Sequence, residues 1–303
     1  MPNYPTICLM SGLAVGLLFF PACDSPESTQ PRESAWKSHH QAGASSLEQG
    51  HYPEAEKQFQ AALKEVEGFA ETDARRLRTL AGLARLRVLQ GQHTQAESLY
   101  LHILTLREKS LGTENPRLAS TLEELAAIYS AQEKLERTEN LYRRILELQE
   151  NNLDPASASS TLSKLADLYR KQNNFARADS LSRRAMGLKL HTRAYDHYLQ
   201  KKYDPAEKLY KRALKIQQKT LGNAHPDLAR TYYDLALLYA VQNRYGPAEK
   251  LYKRALAVQE RLWGDNHREL APTLDNLAQQ LEKLGRPDEA AAMRARARQI
   301  RTQ

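Results

Sequence analysis

Residues 245–252 of the chain read YGPAEKLY, and residues 203–210 read YDPAEKLY. Weaker copies bring the motif to seven, each aligned on the small residue in its fourth position. These anchor residues are Ala55, Ala96, Thr138, Ala178, Ala206, Ala248 and Ala290, at spacings of 41, 42, 40, 28, 42 and 42. A period of this length predicts a stack of similar supersecondary units, each contacting mainly its neighbours.

A second small residue lies twelve positions before each anchor and predicts that every unit is a pair of closely packed helices. These residues are Gly43, Ala84, Ala126, Ala166, Ala194, Ala236 and Ala278. Apolar residues recur at helical spacing, as in Leu235, Leu238 and Tyr239. Residues such as Gly222 and Pro226 mark the ends and starts of helices. Aromatic residues four positions after the anchor are expected to fill the space between layers: Phe59, Tyr100, Tyr142, Tyr210 and Tyr252.

The spacing of 28 residues between Ala178 and Ala206 indicates a truncated unit near residues 191–203. We expect a kink at this point. Two interpretations remain open: the deletion is absorbed by a longer continuous helix, or it separates a functional front half from a back half.

Residues 221–236, which read LGNAHPDLARTYYDLA, together with Tyr245 and Ala248, resemble tetratricopeptide repeats of the long-period type found in kinesin light chains. The resemblance covers roughly residues 33–302. It implies an all-α, right-handed superhelical solenoid of about seven helix-turn-helix repeats. It also implies a concave groove, lined mainly by the first helix of each hairpin, in which partner peptides dock.

The repeat register predicts which side chains line this groove. They are Arg78, Arg85, Glu124, Lys164, Asp167, Arg170, Lys171, Arg230, Tyr233, Asp234, Leu237, Asn276 and Gln279. The family's peptide-holding Asn, two residues before the first small residue, occurs only as Asn276. Lys164, Arg170 and Lys171 give the groove a basic middle that suits acidic side chains or a carboxylate terminus. Tyr233 and Leu237 offer apolar contacts to a partner.

The N-terminus predicts export. Residues 7–20, ICLMSGLAVGLLFF, are too few to span a bilayer comfortably and fit a signal peptide over residues 1–22. Phe20, Pro21, Ala22 and Cys23 resemble the lipobox of bacterial lipoproteins, in which the Cys is acylated. The alternatives are a signal peptide cleaved without lipidation and a short membrane anchor. Only Cys8 accompanies Cys23, so no intramolecular disulfide survives cleavage.

The residues after Cys23 refine the localisation. In enteric lipoproteins an Asp at the position of Asp24 retains the protein at the inner membrane, so the resemblance implies a lipid anchor there, facing the periplasm. Residues 23–32 are predicted to form the lipidated Cys and a flexible tether rich in Ser, Pro and Glu. The repeat domain is predicted to follow over residues 33–303.

Composition and motifs argue against catalysis. The chain has 44 basic and 36 acidic residues, a net charge of +8, and its basic runs are typical of solvated helix faces and of a polar C-terminal cap. No phosphate-binding loop or nucleophile elbow occurs, and the nine histidines show no metal-ligand spacing. We therefore expect no enzymatic activity, metal, cofactor, nucleic acid or small-molecule substrate.

These observations predict a membrane-tethered, envelope-facing adaptor that binds a protein or peptide segment through its groove. One alternative is a chaperone-like assembly factor for secretion, pilus or outer-membrane machinery, which would bind several clients. Another is a non-catalytic accessory subunit of a cell-wall enzyme. Stoichiometric capture of one partner distinguishes the adaptor from the chaperone-like factor.

Overall fold

A computed structural model describes residues 26–152 and 154–302, which form thirteen α-helices, two short 3-10 helices and no strand. The predicted signal peptide, Cys23 and Asp24 lie outside the described residues. The helices are α1 (Pro26–Glu48), α2 (Tyr52–Glu65), α3 (Ala74–Leu89), α4 (His93–Leu111), α5 (Ala119–Ala131), α6 (Leu135–Asn151), α7 (Pro155–Lys171), α8 (Phe175–Leu199), α9 (Tyr203–Thr220), α10 (Pro226–Val241), α11 (Tyr245–Trp263), α12 (Ala271–Lys283) and α13 (Pro287–Thr302).

Seven tight turns divide these helices into hairpins. Each turn has one residue of positive φ, five positions before an anchor: Gly50, Gly91, Glu133, Asn173, Lys201, Asn243 and Gly285. This left-handed residue reverses the chain between the two helices of a unit. Thirteen helices form seven hairpins because α8 is the second helix of one hairpin and the first helix of the next.

The small residues that defined the repeat are buried where helices approach each other. All seven anchors have no exposed surface, and of the preceding small residues Ala84, Ala126, Ala166, Ala194, Ala236 and Ala278 likewise have none. Phe59, Tyr100, Tyr210 and Tyr252 are buried between them, as expected, whereas Tyr142 is only partly buried. The predicted all-α architecture of paired helices is thus confirmed.

The chain divides into two compact units, with the boundary between Gly82 and Leu83 inside α3. In the first unit, α1 packs on α2, and the Trp36 Nε1 donates a hydrogen bond to the Thr79 hydroxyl over 3.0 Å. Phe59 fills the space left by two glycines, since a Cβ on Gly82 would lie 2.6 Å from its ring.

Helix α1 begins at Pro26, within the segment predicted as a flexible tether. Two contacts of Arg32 join this helix to the loop after α2. The guanidinium of Arg32 donates to the carbonyl of Glu67 over 2.6 Å and lies 5.2 Å from the centre of the Phe69 ring. The part of the tether before residue 26 remains a prediction.

In the second unit, α8 is α-helical at every residue from Phe175 to Leu199, so one continuous helix absorbs the deletion and no helix break is present. Its N-terminal half packs on α7, where the Ser159 hydroxyl donates to the carbonyl of Ala185 over 2.9 Å. Its C-terminal half packs on α9, where the His191 and Tyr210 rings meet edge to face at 5.5 Å. A single helix therefore joins the fourth hairpin to the fifth.

Candidate partner-binding surfaces

The predicted groove residues all lie on the first helices of hairpins, and none is fully buried. Arg78, Arg85, Glu124, Asp167, Arg170, Lys171 and Gln279 are exposed. Lys164, Arg230, Tyr233, Asp234, Leu237 and Asn276 are partly buried. Arg78 belongs to the first compact unit and the others to the second.

Neighbouring first helices are joined by a repeated polar contact. Positions are counted from the small residue of each first helix, such as Ala126 or Ala166. The residue three positions before it on one helix contacts the residue two positions before it on the next first helix. The pairs are Glu123 with Lys164 (3.1 Å), His191 with Asp234 (2.7 Å) and Tyr233 with Asn276 (2.6 Å). Four of the predicted groove residues, Lys164, Tyr233, Asp234 and Asn276, thus contact a neighbouring first helix.

Helix α10 runs parallel to α8. The Arg184 Nε donates to Asp227 over 3.2 Å, and His191 contacts Asp234. Both contacts join residues 43 positions apart, so sequence number rises in the same direction along the two helices. Because α8 runs antiparallel to its hairpin partner α7, α10 also runs opposite to α7. The direction of the first helices therefore reverses at the truncated unit.

This reversal separates the predicted site residues of α5 and α7 from those of α10 and α12. Arg170 donates to the Ser182 hydroxyl on α8 over 2.7 Å. At about 1.5 Å per residue, Leu199 lies about 25 Å further along α8 than Ser182. We call the exposed and partly buried side chains of α5 and α7 the front surface, and those of α10, α12 and the C-terminal half of α8 the back surface.

The front surface carries the basic residues that the sequence indicated. Lys164 pairs with Glu123 and lies 5.9 Å from the centre of the Tyr142 ring. Arg170 pairs with Asp167 over 2.6 Å. Lys171 is exposed and forms no ion pair or hydrogen bond within the part of the chain that the structure describes. Lys171 is therefore the cation of this surface most available to a partner.

The back surface is rich in tyrosine. The Tyr233 hydroxyl accepts a hydrogen bond from the Asn276 amide, and its ring meets Tyr252 edge to face at 5.5 Å. Burial raises the pKa of Tyr233, and the negative charge of Asp234 raises it further. Burial likewise raises the pKa of Tyr198, with added contributions from nearby tyrosines. These rings therefore present neutral phenols to a partner.

Three exposed apolar residues of the back surface were absent from the sequence prediction: Tyr195, Leu199 and Val241. Aligning the truncated unit with the next repeat would have identified Tyr195 and Leu199. When Ala194 is aligned with Ala236, Tyr195 falls at the position of Leu237, and Leu199 at that of Val241. The predicted groove residues included none from this unit, whose first helix is fused to the preceding helix in the structure, and Val241 of the regular helix α10 was also left out.

A second repeated contact lies away from these surfaces and holds adjacent hairpins together. The Glu that follows an anchor accepts hydrogen bonds from the next hairpin. Glu207 accepts from the Tyr239 hydroxyl over 2.8 Å and pairs with Arg244 over 2.7 Å, and Glu249 pairs with Arg286 over 2.7 Å. Burial alone would raise the pKa values of both glutamates, but their hydrogen bonds outweigh it, so both pKa values lie below the ordinary 4.5.

We expect these two glutamates to make the protein acid-sensitive. Because the pKa of each glutamate is lower in the folded protein than in the unfolded chain, the ionised carboxylates stabilise the fold. This stabilisation is fully present above the unfolded pKa, near 4.5, and is lost as the pH falls through the folded pKa. Urea unfolding from pH 6 to pH 3 should therefore show a declining midpoint, and the double variant E207Q/E249Q should show a shallower decline. Equal slopes for the two proteins would contradict this role.

The C-terminal arginines of α13 cover the last layer. Arg294 pairs with Glu282, Arg301 pairs with Asp275, and Arg296 pairs with Glu260 over 2.6 Å. These contacts provide the polar end that a repeat stack needs for solubility. The arginine side chains of α13 are therefore largely ion-paired rather than only solvated.

The histidines in the loops between hairpins have structural positions. Nδ1 of His225 accepts the backbone N–H of Asp227 over 3.1 Å, and Nδ1 of His267 accepts that of Glu269 over 3.3 Å. Both rings therefore cap helix starts. Within residues 26–152 and 154–302, no group of three His, Cys, Asp or Glu side chains is placed to hold a metal ion. No helix in this part of the chain combines the length and apolarity needed to cross a bilayer.

The tetratricopeptide repeat family model matches residues 75–151, 117–190, 186–261 and 248–303, well over half of the chain. The chain belongs to the tetratricopeptide repeat family, whose fold is typical of proteins that bind protein or peptide partners and are generally not catalytic. No curated protein matches the chain by sequence.

Solved structures similar to this chain include kinesin-light-chain-like proteins. BtubC (BKLC) from P. vanneervenii is 20% identical over 89% of this chain and 91% of its own, with a TM-score of 0.33. A putative kinesin light chain of Podosopora anserina is 22% identical over 75% of this chain and 95% of its own, with a TM-score of 0.30. PilF of Pseudomonas aeruginosa is 16% identical over 87% of this chain and 90% of its own, with a TM-score of 0.35.

Proposed function

We propose that this protein is a membrane-tethered adaptor of the bacterial cell envelope, without catalytic activity of its own, that binds a protein partner through its first-helix surfaces. The observation that carries the proposal is the composition of these surfaces. Exposed Asp167, Arg170 and Lys171 on the front surface, and exposed Tyr195 and Leu199 on the back surface, lie on helices whose opposite faces are buried. Such side chains suit contact with another chain.

The tether and its location rest on the sequence. Cys23 within its lipobox-like block is the proposed acylation site, and Asp24 favours the inner membrane. A multiply acylated Cys would hold the domain at a bilayer, because each buried methylene contributes about 0.8 kcal/mol. The arrangement would present both surfaces to the periplasm.

Crosslinking in cells tests the proposal. The protein is crosslinked in separated inner and outer membranes, and the partners are identified by mass spectrometry. We expect one dominant partner in the inner-membrane fraction and a loss of roughly tenfold in its capture by R170E/K171E, since the reversal repels an acidic partner. Lys164 is left unchanged because it is partly buried and its ion pair with Glu123 joins α7 to α5, whereas Arg170 and Lys171 are exposed.

The matched control is K208E/K215E, which makes the same change of charge at two exposed residues of the second helix α9. This variant should capture the partner normally. A broad set of clients would favour the chaperone-like factor, and equal capture by both variants would contradict a front-surface interface. Recovery in the outer-membrane fraction would contradict the inner-membrane assignment.

A further inference from the structure

The back surface exposes a group of four apolar side chains on two adjacent helices. Tyr195 is 42% exposed, Leu199 60% and Val241 43%, while Leu237 is partly buried. We call Tyr195, Leu199, Leu237 and Val241 the apolar patch. Scattered apolar residues are normal on protein surfaces, but a contiguous group indicates a binding site.

The packing of α8 on α10 makes the patch contiguous. Tyr195 and Leu199 are four residues apart on α8, and Leu237 and Val241 are four apart on α10, so each pair lies on one helix face. The contacts of Arg184 with Asp227 and of His191 with Asp234 show that α8 and α10 lie side by side, and the next turn of each helix carries Tyr195 or Leu237. The register therefore brings the four side chains to neighbouring positions on the two helices.

The patch is confined to these two helices. At the positions equivalent to Leu237 and Val241, α12 has the polar residues Gln279 and Lys283. On α7 the equivalent residues are Asp167 and Lys171, which belong to the front surface. The truncated unit and α10 therefore share an apolar surface that α7 and α12 lack.

One side of α8 next to the patch has no covering helix. The position two residues after the small residue is buried in other first helices, as Ile128 (1% exposed), Leu168 (4%) and Leu238 (0%). In the truncated unit this position is Asp196, which is exposed. The C-terminal half of α8 thus lacks the neighbour that a regular first helix has on this side, and a bound segment has room to pack there.

The charges beside the patch are mainly positive. Lys201 and Lys202 follow α8, and Lys283 ends α12; none of them forms a salt bridge in the part of the chain that the structure describes. Among the nearby carboxylates, Asp234 contacts His191 and Glu282 pairs with Arg294. Asp196 is the remaining negative charge on α8 beside the patch.

We infer that the apolar patch binds an acidic segment of the partner protein, which places two large apolar side chains against α8 and α10 while its carboxylates face Lys201, Lys202 and Lys283. Large apolar anchors inside a charged rim are typical of segments that bind with specificity. The inference rests on the proposed function and assigns the chemistry of the partner to one of the two surfaces.

Synthetic peptides test the chemistry. The probe is a fluorescein-labelled twelve-residue peptide with two leucines four positions apart between glutamates. Comparison peptides replace the leucines with serine or the glutamates with lysine. Fluorescence anisotropy with the full chain should show binding of the acidic leucine peptide and affinities weaker by about tenfold or more for both comparison peptides. Absence of binding, or equal binding of all three peptides, would overturn the inference.

Matched protein variants locate the binding. L199S/V241S removes two exposed apolar side chains of the patch and should lower the affinity for the acidic leucine peptide about tenfold or more. F175S/M186S removes two apolar residues of similar exposure elsewhere on α8, 62% and 50%, and should leave binding unchanged. An equal loss in the two variants would place the interaction outside the patch. A dimer abolished by L199S/V241S would identify a second copy as the occupant and also overturn the inference.

Site-specific photocrosslinking in cells separates this inference from the proposed function. A photoreactive residue at position 199 samples the patch, one at position 167 samples the front surface, and one at position 215 samples the second helix α9. Adducts at 199 that disappear with V241S, together with the peptide result, support the inference. Adducts at 167 alone would leave the adaptor standing and reject the patch, and adducts at 215 alone or at no position would reject the adaptor itself.

Discussion

Replacing Tyr252 with Ala should lower the free energy of unfolding by about 3–5 kcal/mol, as for other large buried aromatic residues. The side chain has no exposed surface and lies in the hydrophobic cluster that extends from α8 to α13. Its ring meets Tyr233 edge to face at 5.5 Å. Truncation would leave a cavity between adjacent hairpins, and each hairpin depends on its neighbours for burial. Urea unfolding followed by circular dichroism measures the loss.

The control for this variant is Tyr252→Phe. The buried Tyr252 hydroxyl has no hydrogen-bond partner in the part of the chain that the structure describes, and burial raises its pKa. Removing an unpaired hydroxyl while keeping the ring should leave stability unchanged or raise it by up to about 1 kcal/mol. A loss in Tyr252→Phe as large as in Tyr252→Ala would show that the hydroxyl, rather than the ring, stabilises the layer. Tyr210, also fully buried with an unpaired hydroxyl, offers a second test.

The sequence predicted the fold well because the repeat is a packing requirement. Helices can approach closely only where side chains are small, so Ala206 and Ala248 recur at fixed positions and have no exposed surface. The aromatic residue four positions later fills the remaining space, as Tyr210 and Tyr252 do. Where the packing differs locally, as at the partly buried Tyr142, the repeat alone does not reveal it.

The candidate surfaces were predicted less completely because they depend on which helices become neighbours. The register placed Lys164 on a first helix, but its contact with Glu123 follows from the parallel packing of α5 and α7. The spacing of 28 residues indicated a truncated unit but left open a break or a continuous helix. Only the continuous α8 shows that the front and back surfaces are separate and that Tyr195 joins the second of them.

Replacing Arg193 with Pro should lower the free energy of unfolding by about 3 kcal/mol or more. Arg193 is exposed in the interior of α8, so the change removes no buried packing. Proline instead removes the hydrogen bond from residue 193 to the carbonyl of Lys189 and clashes with that carbonyl. Arg193→Ala keeps the helix and should unfold at nearly the wild-type urea concentration. Phe175→Pro, at the first residue of α8, should also be tolerated because no helical hydrogen bond uses that N–H.

The position of this break determines how the protein should unfold. Ala185 and Leu188, before Arg193, pack on α7, and Ala194 after it belongs to the cluster with Ala206 and Tyr210. Because one continuous helix transmits stability between these hairpins, Arg193→Pro should split a single cooperative urea transition into two. Arg193→Pro should also abolish binding of the acidic peptide, since Tyr195 and Leu199 of the patch follow the break on α8. R170E/K171E should bind this peptide as the wild type does. A single transition in Arg193→Pro at the midpoint of Arg193→Ala would contradict the coupling role of α8.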